Sequence, residues 1–268
     1  MRIIYIAGAA HSGSTLLDMM LNAHPDIISV GEVLNINRVK RSKSTGEVKE
    51  PNCSCGAVGL LQCAFWSSVN TRIEKASGTT ITDLDLNEQA TANSLLFQAI
   101  SGVSGKNIIV DSSKMPRRLQ QLLRLEDLEI YPVHLVRKPA GQIASVIAKH
   151  GLVKSILYYE VVHAQIRQML KLVPYSLVRY EDLVNDPKGT LQRILEPLGL
   201  EFDSRQLAWA EQERHSFAGN HARFQSRSEL ILDEAWKERL SPTQRLLIQI
   251  GTVVSRHASP QLLVKTRS

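Results

Sequence analysis

The chain has little of what marks a nucleic-acid binder, a membrane protein or a disulfide scaffold. Only 5% of its 268 residues are aromatic, and no basic stripe interleaves with them, which argues against a base-stacking surface. No apolar run reaches the ~20 residues needed to cross a bilayer. Only three cysteines are present, far fewer than a small disulfide-framed protein uses. A secretory leader is also set aside. Arg2 precedes an apolar stretch, but His11, Ser12, Ser14 and Asp18 interrupt it, and the segment reads as a first βα unit. These absences predict a cytoplasmic protein with no membrane span and no nucleic-acid partner. The net charge of +6, from 32 Lys+Arg against 26 Asp+Glu, suits an anionic small ligand but does not choose one.

What is present is a length and a 43% hydrophobic content that suit one large α/β domain over 1–268. Apolar runs of strand length alternate with amphipathic stretches: strands at Arg2–Ala7, Lys106–Asp111, Ile130–Val136 and Tyr175–Arg179, and helices at Ser14–Ala23, Asn87–Ile100, Pro139–Lys149 and Leu157–Leu172. Asp186-Pro187 and Ser241-Pro242 read as cap and first turn of two further helices. The alternation predicts a central parallel sheet with helices on both faces, a three-layer fold. The insertion at about 38–65 reads as irregular and holds Cys53, Cys55 and Cys63. These supply three of the four ligands of a structural zinc site, with no histidine nearby in sequence for the fourth. A disulfide is the second reading, and reduced thiols in a surface insertion are the favoured one.

Ligands of parallel sheets lie beyond the carboxyl ends of the strands, which singles out residues 8–15, 111–114, 137–145 and 180–182. In GAAHSGSTLL, Gly8 and Gly13 stand where a phosphate loop places its glycines, between a strand and a helix. The backbone N–H groups there, with the positive end of the helix, suit one phosphate. Ser12, Ser14 and Thr15 add hydroxyls. Ser14, however, occupies the place of the lysine that grips the β- and γ-phosphates of a nucleoside triphosphate. The loop seats one phosphate well and clamps a triphosphate poorly.

With the strand before it, HSGSTLLDMMLNAHPDIISVGE resembles the start of the sulfotransferase family. LVRKPAGQIAS at 135–145 is similar to that family's L-V-R-x-P…S element, and VRYEDLVNDP at 178–187 to its V-R-Y-E-D-L…P segment; IVDSSKMPRR and HSFAGNHARF match bacterial-type members. The likeness runs from about residue 1 to 225. It implies a P-loop-type fold, 3′-phosphoadenosine 5′-phosphosulfate (PAPS) as co-substrate, no required metal, and transfer of the sulfuryl group to a hydroxyl on a small molecule, carbohydrate or peptide. By this resemblance His11, Ser12, Gly13, Ser14 and Thr15 hold the 5′-phosphosulfate, Arg137 and Ser145 the 3′-phosphate with Arg223 as a second arginine, and Tyr180 the adenine. Glu32 is the expected catalytic base and Lys114 the group that meets charge on the leaving oxygen. Asp111 shapes the turn that carries Lys114 or orients it.

His11 departs from the family pattern, which has Lys or Arg there to reach the transferred group. A histidine carries full charge only when protonated, which a dianionic donor favours. Two other readings fit the loop alone: a P-loop kinase or NTPase with Asp111 as a metal-binding acid, and a non-catalytic adenosine-bisphosphate-binding protein.

Overall fold

The computed structural model describes residues 1–36 and 52–252. At its centre is β1 (Arg2–Gly8), whose sequence RIIYIAG is almost wholly buried. Around it lie β2 (Ile27–Ser29), β3 (Ile108–Lys114), β4 (Glu129–Val136) and β5 (Ser176–Arg179), in the order β2-β3-β1-β4-β5. Every pairing is parallel, with Ile3 opposite Ile109 on one side and Ile130 on the other.

The period-two alternation of these strands sends their side chains to two separate cores. Ile3, Tyr5 and Ile109 pack with α2 (Ala64–Ser77), α3 (Ala90–Ser104) and α4 (Pro116–Leu122), through Trp66, Phe97 and Leu119. Ile4, Ile6 and Val110 pack on the opposite face with α1 (Ser14–Asn22) and α9 (Pro187–Leu195), through Leu17, Leu21 and Leu191. Each such side chain, fully withdrawn from water, contributes about 1.5–3 kcal/mol. The three-layer architecture expected from the sequence is therefore present.

Between β4 and β5 run α5 (Pro139–Ala144), α6 (Ile147–His150) and α7 (Leu152–Met169). After β5 come α8 (Tyr180–Asn185) and α9. The chain then crosses an irregular stretch to α10 (Trp236–Arg239) and α11 (Pro242–Gly251). The two expected caps form: the Asp186 side chain accepts from the Gly189 amide at 3.0 Å, and Ser241 makes a reciprocal capping box with Gln244.

Three local readings differ. β2 is too short, and the buried stripe of α2 too narrow, to stand out in sequence; α2 begins at Ala64, within the segment read as irregular, and that segment's part from 38 to 51 lies outside the described residues. The helix expected over 139–149 is two short helices, and the next begins at Leu152 rather than Leu157.

The chain leaves β1 toward β3 and β2 on one side and reaches β4 and β5 on the other. This divergence opens a crevice at the carboxyl end of β1, the place where parallel sheets bind ligands.

Candidate active site

The crevice is a cavity of about 1490 Å³, larger than the ~300–1,000 Å³ that holds one small ligand. It has room for a nucleotide and an acceptor together. His11, Gly13, Ser14, Thr15, Glu32, Lys114, Arg137, Ser145, Tyr180 and Arg223 all line it. Ser12 does not: it is fully buried, and its hydroxyl donates to the Ala9 carbonyl at 2.8 Å, tying the loop from beneath. Its side chain braces the loop, leaving only its backbone for a ligand.

The loop is built for close backbone approach. Gly13, in the left-handed region (φ 94), is the N-cap of α1 and makes no side-chain cap bond, so the first amides of that helix have no partner within it. A Cβ on Gly13 would stand 2.5 Å from the Tyr180 ring, so only glycine fits. Gln142 donates to the Ala10 carbonyl at 2.9 Å, and the Tyr158 hydroxyl accepts from the Ala10 amide at 3.2 Å. His11 (φ 64), Lys114 (φ 67) and Ala218 (φ 60) are the non-glycine residues with positive φ among the described residues, and all three face this cavity. Such backbone strain, of order 1–3 kcal/mol each, collects at functional sites.

One wall centres on Arg137, which is nearly buried. Its guanidinium donates to the His11 carbonyl at 3.1 Å and to the Asp233 carboxylate at 2.8 Å, and lies 4.6 Å over the Tyr180 ring. Its Nε is buried without a partner. The guanidinium thus already holds one anion, Asp233, whose pKa it lowers by hydrogen bonding, and keeps a further donor free. The Tyr159 hydroxyl donates to the Arg137 carbonyl at 3.0 Å and fixes the end of β4. The Ser145 hydroxyl donates to the Gly141 carbonyl one turn back, at 3.1 Å.

The other wall joins Glu32 and Lys114. Lys114 Nζ donates to Glu32 Oε1, and Asn35 Nδ2 to Glu32 Oε2 at 2.9 Å. A Cβ on Gly219 would lie 3.6 Å from Glu32 Oε1 and 3.7 Å from Thr15 Oγ1, so the carboxylate and the loop share one corner. Arg223 has partners of its own. It donates to the carbonyls of Gly219 (2.6 Å), Asn220 (3.3 Å) and Asn52 (3.3 Å), and burial lowers its pKa, an effect opposed by nearby Glu32 and Cys53.

His11 stands between the walls. Loss of water around its ring lowers its pKa, and the positive charges of Lys114 and Arg137 add to this, with Glu32 opposing. Without a ligand the imidazole is therefore biased to the neutral form. Asp111 is structural. It accepts from the Ser113 amide at 2.9 Å and pairs with Arg118 at 3.1 Å, both side chains fully buried. It shapes the turn that presents Lys114.

Sequence reasoning missed Asp233, Asn35, Gln142 and Asp18. Asp233 and Gln142 act through contacts far along the chain, and Asn35, three residues from Glu32, belongs to no motif. Asp18, fully buried under the loop, accepts from the hydroxyls of Ser29 (2.5 Å) and Ser216 (3.1 Å); burial pushes its pKa up to about 6. It ties α1 to the strand and segment beside Glu32.

The family model described as "Sulfotransferase family" matches residues 4–204. Among solved structures, the sulfotransferase domain of the olefin synthase of Synechococcus PCC 7002 superposes with a TM-score of 0.63 at 21% identity, covering 93% of this chain and 94% of that one. The sulfotransferase domain of the curacin biosynthetic pathway gives 0.56 at 21% identity, covering 92% and 96%. These likenesses show the shared fold. No curated protein sequence matches. On the extent of the family match, from the centre of β1 to beyond the last strand of the sheet, the chain belongs to the sulfotransferase family.

Proposed function

We propose that this sulfotransferase takes its sulfuryl group from PAPS and passes it to a hydroxyl-bearing acceptor bound in the same cavity. The observation that carries the reading is the pair of separate anion seats. One is the lysine-free loop at the head of α1; the other is Arg137, whose fork holds a carboxylate and whose buried Nε is unpaired. PAPS carries a 5′-phosphosulfate and a separate 3′-phosphate, and these match two seats with no grip for a γ-phosphate.

In this reading the loop amides of residues 12–15, with Ser14, Thr15 and His11, hold the phosphosulfate. Arg137 takes the 3′-phosphate in exchange for Asp233, with Ser145 beside it. Arg223 closes the cavity on the Glu32 side, where it serves the 3′-phosphate less directly than Arg137 does. Tyr180 carries Arg137 on its ring and contacts the adenine at its edge. PAPS supplies an activated sulfuryl group on a good leaving phosphate. The acceptor oxygen bonds to sulfur as the sulfur–oxygen bond to the phosphate breaks. Glu32 takes the acceptor's proton, and adenosine 3′,5′-bisphosphate leaves with its new charge met by Lys114. The Glu32–Lys114 contact keeps the two groups at the same reacting centre, and the anionic donor competes with Glu32 for the ammonium. The reaction calls for no metal, because positioning and fixed charge perform the displacement.

Arg137→Ala tests the second seat. Loss of a charged hydrogen-bonding partner removes roughly 1.5–3 kcal/mol, so affinity for adenosine 3′,5′-bisphosphate is expected to fall about 10- to 150-fold. Binding of 5′-AMP, which lacks the 3′-phosphate, stays within about threefold of the parent. Calorimetric titration of both ligands decides. Equal weakening of the two assigns Arg137 to the loop it braces, through His11, and not to the 3′-phosphate.

A further inference from the structure

Outside the residues that line the cavity, the fold completes the cysteine cluster of the sequence. Cys53, Cys55 and Cys63 meet His215, and the four potential ligand atoms all lie within 4.8 Å of one another. His215 is 152 residues from Cys63, which is why the sequence shows no fourth ligand.

We propose that these four side chains form a structural zinc site. The donor set of three thiolates and one imidazole is one that closed tetrahedral zinc sites use. The spacing fits as well. With Zn–S near 2.3 Å and Zn–N near 2.0 Å, a tetrahedron has S···S edges of about 3.8 Å and S···N edges of about 3.5 Å. Cys55 Sγ lies 3.6 Å from Cys63 Sγ, and Cys63 Sγ 3.3 Å from His215 Nδ1. None of the three cysteines is in a disulfide.

The outer contacts give a second, independent indication. His215 turns Nδ1 to the sulfurs and holds Nε2 3.1 Å from the Glu213 carboxylate. A metal-bound histidine commonly donates its other ring N–H to a carboxylate in this way, which fixes the tautomer that leaves the first nitrogen free to ligate. Phe65 stacks on the imidazole at 4.9 Å, nearly parallel, and Trp66 Nε1 donates to the His215 carbonyl at 2.8 Å. Phe65 thus covers one face of the ring, and Trp66 fixes the backbone that carries it. Cys55 is exposed, and Cys53 and Cys63 are buried, so the metal has an entry path to a site with a dry interior.

The site's place in the fold gives it a purpose. It joins the turn at 53–57 and the start of α2 to the segment around 215, which otherwise meet through an isolated bridge and a few hydrogen bonds, among them Ser54 amide to Ser216 carbonyl at 3.1 Å. Phe217, two residues on, bridges both Gly31 and Cys53, and its carbonyl accepts from the Glu32 amide at 3.0 Å. Zinc here would lock the backbone that carries Glu32 and the segment leading to Arg223. Its role is positioning; no step of the chemistry uses it.

The test uses the full chain, untagged and expressed with zinc in the medium. Elemental analysis is expected to give about one zinc per chain. Exchange with cobalt(II) is expected to produce the strong visible bands of a tetrahedral ion and a thiolate-to-cobalt charge-transfer band. Glu213→Gln, at an exposed carboxylate, is expected to weaken zinc binding about 10- to 100-fold while leaving the far-ultraviolet circular dichroism unchanged. His215→Ala should abolish the tetrahedral cobalt spectrum. Zinc well below stoichiometric together with an octahedral cobalt spectrum overturns the site, as does a Cys55–Cys63 disulfide found by mass spectrometry in freshly purified protein. The metal and spectral readouts do not depend on donor or acceptor, so the site stands or falls separately from the sulfuryl-transfer reading.

Discussion

Glu32→Gln is expected to lower turnover by roughly 10²–10⁴-fold, the range for loss of a positioned general base, while affinity for the donor is kept or raised, because the neutral side chain no longer competes for Lys114. Gln keeps the size of the side chain and can still accept from Asn35 Nδ2, but it cannot take a proton. The neighbouring Lys114→Ala should fail differently. Its ammonium faces the same corner, but in the proposed reaction it acts on charge already present in the ground-state phosphosulfate and growing as the bond breaks. Turnover and donor affinity should therefore both fall. Acceptors with more acidic hydroxyls need less help losing their proton, so they should partly rescue Glu32→Gln and not Lys114→Ala. Rates with PAPS and a panel of phenols and alcohols would show this. A Glu32→Gln enzyme of near-normal rate on an alkyl alcohol would mean the base lies elsewhere.

Arg118→Ala has the largest expected effect on stability. Arg118 and Asp111 are both fully buried, and the guanidinium also donates to the Leu86 carbonyl at 3.1 Å and to Asn93 Oδ1. Removing one partner leaves a buried carboxylate without its counter-charge, at a cost of about 3–5 kcal/mol. The double variant Asp111→Asn, Arg118→Met removes both charges and nearly conserves volume, so it should lose less than Arg118→Ala alone. Denaturant unfolding of the parent and both variants measures this. A loss below about 1 kcal/mol for Arg118→Ala would show that water reaches the pair. The effect bears on function because Asp111 sets the turn that ends in Lys114.

The parts of this account legible in the sequence share one physical trait: each lies at or just after a buried strand. Continuous runs such as Ile3–Ile6 and Ile108–Val110 are fixed by burial on both faces, and residues following them must open into the crevice. The loop, Lys114 and Arg137 stand out in this way, Glu32 through the resemblance, and all of them line the cavity. What escaped depends on contacts between distant segments. Ile27–Ser29 is too short to show a period, yet pairs with β3. In α2 only Trp66, Val69 and Ile73 are buried, a stripe too narrow to stand out beside a cysteine-rich turn. Asp233 reaches Arg137 across 96 residues, and His215 reaches Cys63 across 152. Neither pairing has a local signature. Ser12 shows the opposite limit: its residue type suits phosphate, but the tight turn of the loop rotates its hydroxyl inward to the Ala9 carbonyl.

The central claim is that this cavity recognises an adenosine carrying separate 3′- and 5′-anions. Calorimetric titration of the chain with adenosine 3′,5′-bisphosphate and with ATP, each with and without magnesium, tests it without knowledge of the acceptor. The two anion seats, and the serine in place of the γ-phosphate lysine, predict at least about tenfold tighter binding of the bisphosphate, unchanged by magnesium. Equal affinity for the two nucleotides, or ATP binding that requires magnesium and exceeds that of the bisphosphate, would contradict the account.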